Sequence, residues 1–195
     1  MHRLELRSLI IKREGFAAGP FNFVLKEGDK ALVYGPNGYG KTTLLMSIAG
    51  ILSYEGSVLL DEREVRSVSL ERRGITYAPA RPSLINGASV LDNLKMSGNE
   101  ALEIAERFNL RSILQVKAGG LNEGARKMVQ IAMALGSSSV VVLIDEPFAF
   151  LSLQNAKLVL DEIARAREKI IVITSHERLE GFTSYIDMEK YQIKG

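Results

Sequence analysis

The chain has 195 residues, 46% hydrophobic and 25% charged, the balance of one globular domain with a sizeable core; two full domains would be crowded, and a disordered or fibrous protein is excluded. Lys plus Arg number 25 against 23 for Asp plus Glu, with no run of five like charges, so no polyanion-binding stripe is visible and no nucleic acid is expected as a partner. The absence of cysteine rules out disulfides, thiolate metal sites and a cysteine nucleophile. No apolar segment reaches the roughly 18 residues of a membrane span. The opening "MHRLELRSLIIKREG" carries charges where a signal peptide would need an apolar stretch, so a cytoplasmic location is expected unless a partner holds the chain to a membrane.

In chain order, "LELRSLIIK" (Leu4 to Lys12) alternates and then runs apolar, and "FNFVLK" and "KALVYG" follow at short spacing, so the opening third reads as strands. "KTTLLMSIAGIL" places leucines and isoleucines at helical intervals, Gly56 breaks the pattern, and "SVLL" resumes a strand. "GITYA" (Gly74 to Ala78) is a further strand. From Ser89 to Gly136 the spacing turns helical in "SVLDNLKM", "EALEIAERF" and "NEGARKMVQIAMAL". "VVVLID" (Val140 to Asp145) is a continuous apolar run suited to a buried strand; "QNAKLVLDEIARAREK" is helical, "IIVITS" is a second buried strand, and a hairpin is expected around "SYIDMEKYQIKG". Strands alternating with helices around one interruption predict an α/β fold, a mixed β-sheet core with a short helical subdomain at about residues 84–136 inserted in a single domain, 1–195.

Between the third strand and the first helix, Gly35, Gly40, Lys41 and Thr42 satisfy GxxxxGK[ST]. Glycines let the backbone curl with its N–H groups inward at the positive end of a helix, which makes an anion cradle. Lys41 adds a mobile charge for β- and γ-phosphates, and Thr42 offers a hydroxyl to Mg²⁺. A bland alternative is a tight Gly-rich turn. A nucleotide site of this kind also needs carboxylates to hold the metal and orient water. "VVVLIDEP" supplies Asp145 for the metal and Glu146 for the proton of the water, although an acidic turn capping a strand would look the same in isolation.

Together these segments resemble the ATP-binding cassette (ABC) ATPases, a P-loop NTPase family, over essentially the whole chain. "GPNGYGKTT" is similar to the family's Walker A pattern, which implies nucleotide binding by Gly35, Pro36, Asn37, Gly38, Tyr39, Gly40, Lys41, Thr42 and Thr43. "VVLIDEP" resembles Walker B followed by the catalytic glutamate, which assigns Asp145 with Thr42 to Mg²⁺ and Glu146 to catalysis. "ITSHE" resembles the switch-histidine segment and makes His176 the second catalytic candidate. For the aromatic that stacks on adenine, Phe16 is the candidate, with a core or loop phenylalanine as the alternative.

"LNEGARKMVQIAMAL" resembles the family signature LSGGQxQRVxIARAL but carries Asn122 for its serine and Glu123 for a glycine; an amphipathic core helix without ATP contact is the alternative. Ala80 stands where a glutamine is expected and Ser152 replaces an aspartate. The resemblance implies an ATP-binding and Mg-dependent ATP-hydrolysing subunit of an ABC transporter, peripheral on the inner face of the cell membrane. Its implied partners are a second cassette, in a homo- or heterodimer around two ATPs, and a transmembrane subunit met near Ala80 to Phe108. The alternative is a soluble or regulatory ABC-type nucleotide-binding protein with little turnover, to which Ala80, Glu123 and Ser152 point.

Overall fold

A computed structural model describes residues 1–193 and divides the chain into two compact units. The first comprises Met1–Tyr77, Ser139–Asp145 and the described residues from Arg167 onward; the second comprises Ala78–Ser138 and Glu146–Ala166.

The first unit is built on two sheets. β1 (Arg3–Arg13) pairs antiparallel with β2 (Phe16–Lys26) and with β4 (Glu55–Leu60), which turns back into the short β5 (Arg63–Glu64). A side-chain period of two should bury one parity along β1 throughout. Instead the buried set runs Leu4, Leu6 and then Leu9, Ile11. The change of parity falls at a break in register beside Ser8, whose φ of 46° marks a bulge. Gly56 of β4 lies opposite: a Cβ there would fall 2.3 Å from the Ser8 carbonyl, so only glycine admits the approach.

The second sheet of this unit has the order β6-β7-β8-β3-β9, where β3 is Lys30–Tyr34, β6 Ile75–Ala78, β7 Val141–Ile144, β8 Ile170–Ser175 and β9 Ser184–Asp187. β3 runs parallel to β8 and β9, and β7 parallel to β8. All four residues of β7 and the first five of β8 are buried, as the unbroken apolar runs of parallel strands require. Parallel strands also leave their carboxyl ends at one edge, so the loops after β3, β7 and β8 emerge together.

Two local expectations are corrected. Helix α1 (Lys41–Ile48) stops well before Gly56, where the chain had been expected to leave the helix: Gly50 at φ +69° ends the helical run, and Gly56 sits within β4. The closing hairpin is absent among the described residues. β9 pairs parallel with the distant β3, then a 3-10 turn at Met188–Tyr191 carries the chain to β2, where Gln192 bridges Ala18. Tyr191 stacks on Phe21 at 4.5 Å, so burial of that ring replaces a local turn as the force that shapes this end. Lys194 and Gly195, the end of the expected hairpin, lie outside the described residues.

The second unit is helical: α2 (Val90–Lys95), α3 (Asn99–Arg107), α4 (Glu123–Leu135) and α5 (Leu153–Arg165). Three of the four starts are capped by a polar side chain. Ser89 accepts from the Asp92 amide, Asn122 from Ala125 and Ser152 from Asn155. Gly136, just past α4, lets α3 approach closely, since a Cβ there would fall 2.3 Å from the Ala101 nitrogen. Arg107 of α3 holds Glu162 of α5 through two bonds of 2.9 and 2.8 Å, the forked geometry that suits a guanidinium and a carboxylate. No helix among the described residues is long and apolar enough to cross a membrane.

Candidate active site

The loop after β3 bends through Gly35 (φ +139°), Gly38 (+83°) and Gly40 (+85°) before α1 begins at Lys41. These are angles that residues with a Cβ rarely adopt, which explains why glycine recurs across "GPNGYG". Pro36, Asn37 and Gly38 are exposed at the crest, whereas Lys41 is buried beneath it. The Lys41 ammonium donates to the carbonyls of Gly35 (2.7 Å) and Pro36 (3.0 Å), so the loop wraps its own lysine. Thr43 is half-buried one residue beyond Thr42 on α1. Tyr39 packs against the core, and its carbonyl takes a bond from Gln192 at 3.3 Å.

Asp145, immediately after β7, is 1% exposed, and hydroxyls surround its carboxylate. Thr42 Oγ1 donates to Oδ2 at 2.7 Å and Thr174 Oγ1 to Oδ1 at 2.6 Å, while the Tyr77 hydroxyl lies 3.5 Å from Oδ2. A carboxylate so buried needs such partners. Burial, reinforced by the charge of Asp145, pushes the Tyr77 phenol well above its usual range, so it remains a neutral donor. The Thr42 hydroxyl and the Asp145 carboxylate form an all-oxygen donor pair that fits a hard divalent cation such as Mg²⁺.

Thr174 and Tyr77 were not singled out in the sequence. Thr174 precedes His176 by two in "ITSHE", and the hydroxyl at the end of a buried apolar run was the available signal. His176 is exposed one residue beyond β8, whose last residue, Ser175, pairs with Tyr34 just before the phosphate loop. Phe16, the first residue of β2, lays its ring on that loop: a Cβ at Gly40 would fall 2.3 Å from Phe16 Cζ.

Glu146 begins the next segment of the second unit at φ +47°, a conformation costly for a residue with a side chain. In the same unit, Asn122 caps α4, Glu123 is exposed on its first turn, and Gly124 meets the carbonyl of Phe150, which a Cβ would approach to 2.8 Å. Ser152 caps α5, a position that serine and aspartate fill equally well, so this departure keeps the local structure. Ala80 has no side chain to contribute, but its carbonyl and that of Pro79 receive the fully buried Lys127 ammonium at 3.0 and 3.2 Å. The signature helix thus holds the Ala80 loop through a lysine that the sequence reading passed over.

The family model described as "ABC transporter" matches residues 19–149. The molybdate/tungstate import ATP-binding protein WtpC of Thermococcus kodakarensis is 31% identical over 160 residues, 76% of this chain and 48% of that protein. The lipopolysaccharide export system ATP-binding protein LptB of Escherichia coli is 31% identical over 144 residues, 66% of this chain and 60% of that protein. Among solved structures, a chain described as an ABC transporter ATP-binding protein from Pyrococcus furiosus superposes with a TM-score of 0.85 at 25% identity, covering 98% of this chain and all of the other. The chain spans about half the length of the molybdate/tungstate relatives it matches.

Proposed function

Because the chain belongs to the ABC transporter family, whose members bind ATP and are ATPases in general, we propose that it binds Mg-ATP and hydrolyses it to ADP and phosphate, powering transport through a separate membrane subunit. The observation that carries this reading is the meeting of Thr42 and Asp145 at 2.7 Å. It joins the end of the phosphate loop to the carboxyl end of β7, where such chemistry needs a metal-binding carboxylate.

In this mechanism the amides of the loop from Gly35 to Gly40, with Thr43, cradle the phosphates, and Lys41 exchanges its carbonyl partners for phosphate oxygens. Thr42 and Asp145 would hold Mg²⁺, which would supply positive charge against the developing charge on the phosphates. Thr174 and Tyr77 fix the carboxylate of Asp145 through their hydroxyls. Glu146 orients the attacking water and takes its proton, His176 supports the γ-phosphate, and Phe16 offers its ring to the adenine. Two cassettes pair around two ATPs, and the membrane subunit docks near Ala80 to Phe108, which brings the chain to the inner face of the cell membrane. Relatives that serve cargoes as different as molybdate import and lipopolysaccharide export support the ATPase step as the shared activity.

A second reading, a nucleotide-dependent switch with little turnover, is favoured by one observation. Lys127 ties the loop at Ala80 to α4, and a loop so held is poorly suited to relaying movement. Turnover of the purified chain with Mg-ATP, alone and with native membranes from which a tagged copy recovers its companions, separates the two. ATPase activity that rises with membranes supports transport. ATP binding without turnover under either condition supports the switch, and absence of ATP binding removes both.

A further inference from the structure

At the opposite end of β7 from Asp145, the first unit bears an open surface pocket with a volume of about 450 Å³. Val140, just before β7, lines it, and Asp145 follows the strand's last residue, so at about 3.3 Å per residue the two positions stand roughly 16 Å apart. The pocket is therefore separate from the phosphate loop.

Three arginines line it, Arg63, Arg72 and Arg73. Arg73 is fixed in place: Nε donates to the Val68 carbonyl at 2.8 Å and Nη1 to the carbonyls of Ala49 and Gly50 at 3.0 Å each. Those partners orient the guanidinium without neutralising it. Arg63 and Arg72 are exposed, and neither forms an ion pair with any of the described residues. Of the lining residues only Asp61 is acidic, and its two oxygens are occupied by His2 Nδ1 at 2.6 Å and the Arg3 amide at 2.8 Å. Two acids next to Arg63, Glu62 and Glu64, are engaged elsewhere. Glu64 accepts from the Tyr54 hydroxyl at 2.6 Å and pairs with Arg66, while Glu62 acts on Arg7. The floor is apolar, with Val65, Val68 and Val140 contributing.

The wall that carries Arg63 is a built feature. The turn from β4 to β5 holds two successive non-glycine residues, Asp61 (φ +50°) and Glu62 (φ +67°), in the left-handed region, where Asn-Gly would be at ease. Asp61 holds this turn to the start of β1 through Arg3 and His2, which brings the turn and the first residues of the chain together at the rim.

We propose that this pocket is a binding site for a small organic anion, a phosphate monoester or carboxylate carried on a compact apolar body. The anionic head meets Arg63, Arg72 and the preset guanidinium of Arg73, and the body covers the valines. One fixed and two exposed guanidinium groups, beside an apolar floor, favour an amphiphilic anion over a neutral solute or inorganic phosphate.

The test is a ligand-observed NMR titration of the whole chain with phenyl phosphate, benzoate and phenol. It uses wild type, the Arg63→Ala/Arg72→Ala double variant and Lys41→Ala, each checked by thermal unfolding. Both arginines are exposed, so their removal leaves the core intact. Saturable binding of phenyl phosphate or benzoate is expected, weakened by at least about tenfold in the double variant and unchanged in Lys41→Ala, with no binding of phenol. Whichever anion binds more tightly identifies the head group. Affinity retained in the double variant, loss of binding in Lys41→Ala, or equal binding of phenol overturns the proposal. Because Lys41→Ala isolates the phosphate loop, failure of this site and failure of the ATPase reading give different results.

Discussion

Thr42 and Thr174 grip the two oxygens of Asp145 from different elements, at 2.7 Å from α1 and 2.6 Å from the end of β8. A carboxylate 1% exposed would be costly to bury alone, and these bonds both satisfy it and fix its orientation toward the phosphate loop. Thr42 has a second task in the proposed mechanism, metal ligation, which is not assigned to Thr174.

Thr174→Val therefore isolates orientation from metal ligation. The replacement keeps shape and removes one donor from a buried carboxylate, so stability should fall by about 1–3 kcal/mol in urea unfolding. Mg²⁺ should also be needed at higher concentration to support ATP binding, which a titration with a fluorescent ATP analogue reads. Normal Mg²⁺ dependence in a destabilised variant would reduce Thr174 to a packing residue.

Lys41→Ala tests the loop. Since the ammonium is bonded to Gly35 and Pro36 carbonyls, its loss should loosen the loop as well as remove the proposed phosphate partner. Severe loss of Mg-ATP affinity is expected, together with a modest destabilisation of about 1–3 kcal/mol without nucleotide. ATP affinity equal to wild type in a folded variant would sink the phosphate-loop assignment.

The parts of the site that were legible in the sequence are contiguous. Glycine-rich bends, Lys41 and Thr42 lie within one turn and helix start, and their chemistry follows from residue type and spacing. The surroundings of Asp145 were not legible, because Tyr77 and Thr174 are 68 and 29 residues away in the chain and meet it only through strand order. The same cause misled the reading of the C-terminus: β9 satisfies its backbone on β3, about 150 positions earlier, where local alternation suggested a hairpin. The parity change at Ser8 was hidden because alternation carries no sign of a bulge. Ser152 was visible as a departure from the family pattern, yet its function as a helix cap became clear only with the bond from the Asn155 amide.

Glu146→Gln preserves size and removes the proposed base. ATP affinity should remain, and hydrolysis should slow by roughly 10² to 10⁴, the usual contribution of a general base. Phosphate release under saturating ATP measures it. A loss below about threefold would transfer water activation to another group, with His176 the next to replace.

In the second unit the Arg107–Glu162 pair predicts an asymmetry. Glu162 is 8% exposed and Arg107 37% exposed, so the carboxylate has more to lose when its partner goes. Arg107→Ala should destabilise by about 3 kcal/mol, and Glu162→Ala by less, because the arginine left behind can reach water. Urea unfolding of both variants and the double variant checks this. Equal single losses would mean that Arg165, 3.8 Å from Glu162, compensates the buried charge.

Glu123 offers the sharpest test of the proposed pairing. It is exposed on the first turn of α4, where a negative charge complements the helix dipole and contributes about 0.3–1 kcal/mol. Replacing it with glycine removes that term and adds backbone freedom, so Glu123→Gly should lower the stability of the single chain by about 1 kcal/mol. In a head-to-tail dimer the same turn would face the γ-phosphate bound to the other chain, where the carboxylate repels it. Removing that charge should strengthen ATP-driven self-association even as the monomer weakens. Light scattering with Mg-ATP in the Glu146→Gln background, with and without Glu123→Gly, reads the association, and thermal unfolding reads the stability. The parent is expected to be mainly monomeric and the glycine variant to dimerise. Opposite movement of the two measurements would identify Glu123 as a barrier to homodimers and favour a partner cassette of different sequence, whose own signature completes the site at Lys41. A dimer formed equally well by both proteins would show that the carboxylate turns away from phosphate, and the case for a different partner would lose its support in this residue.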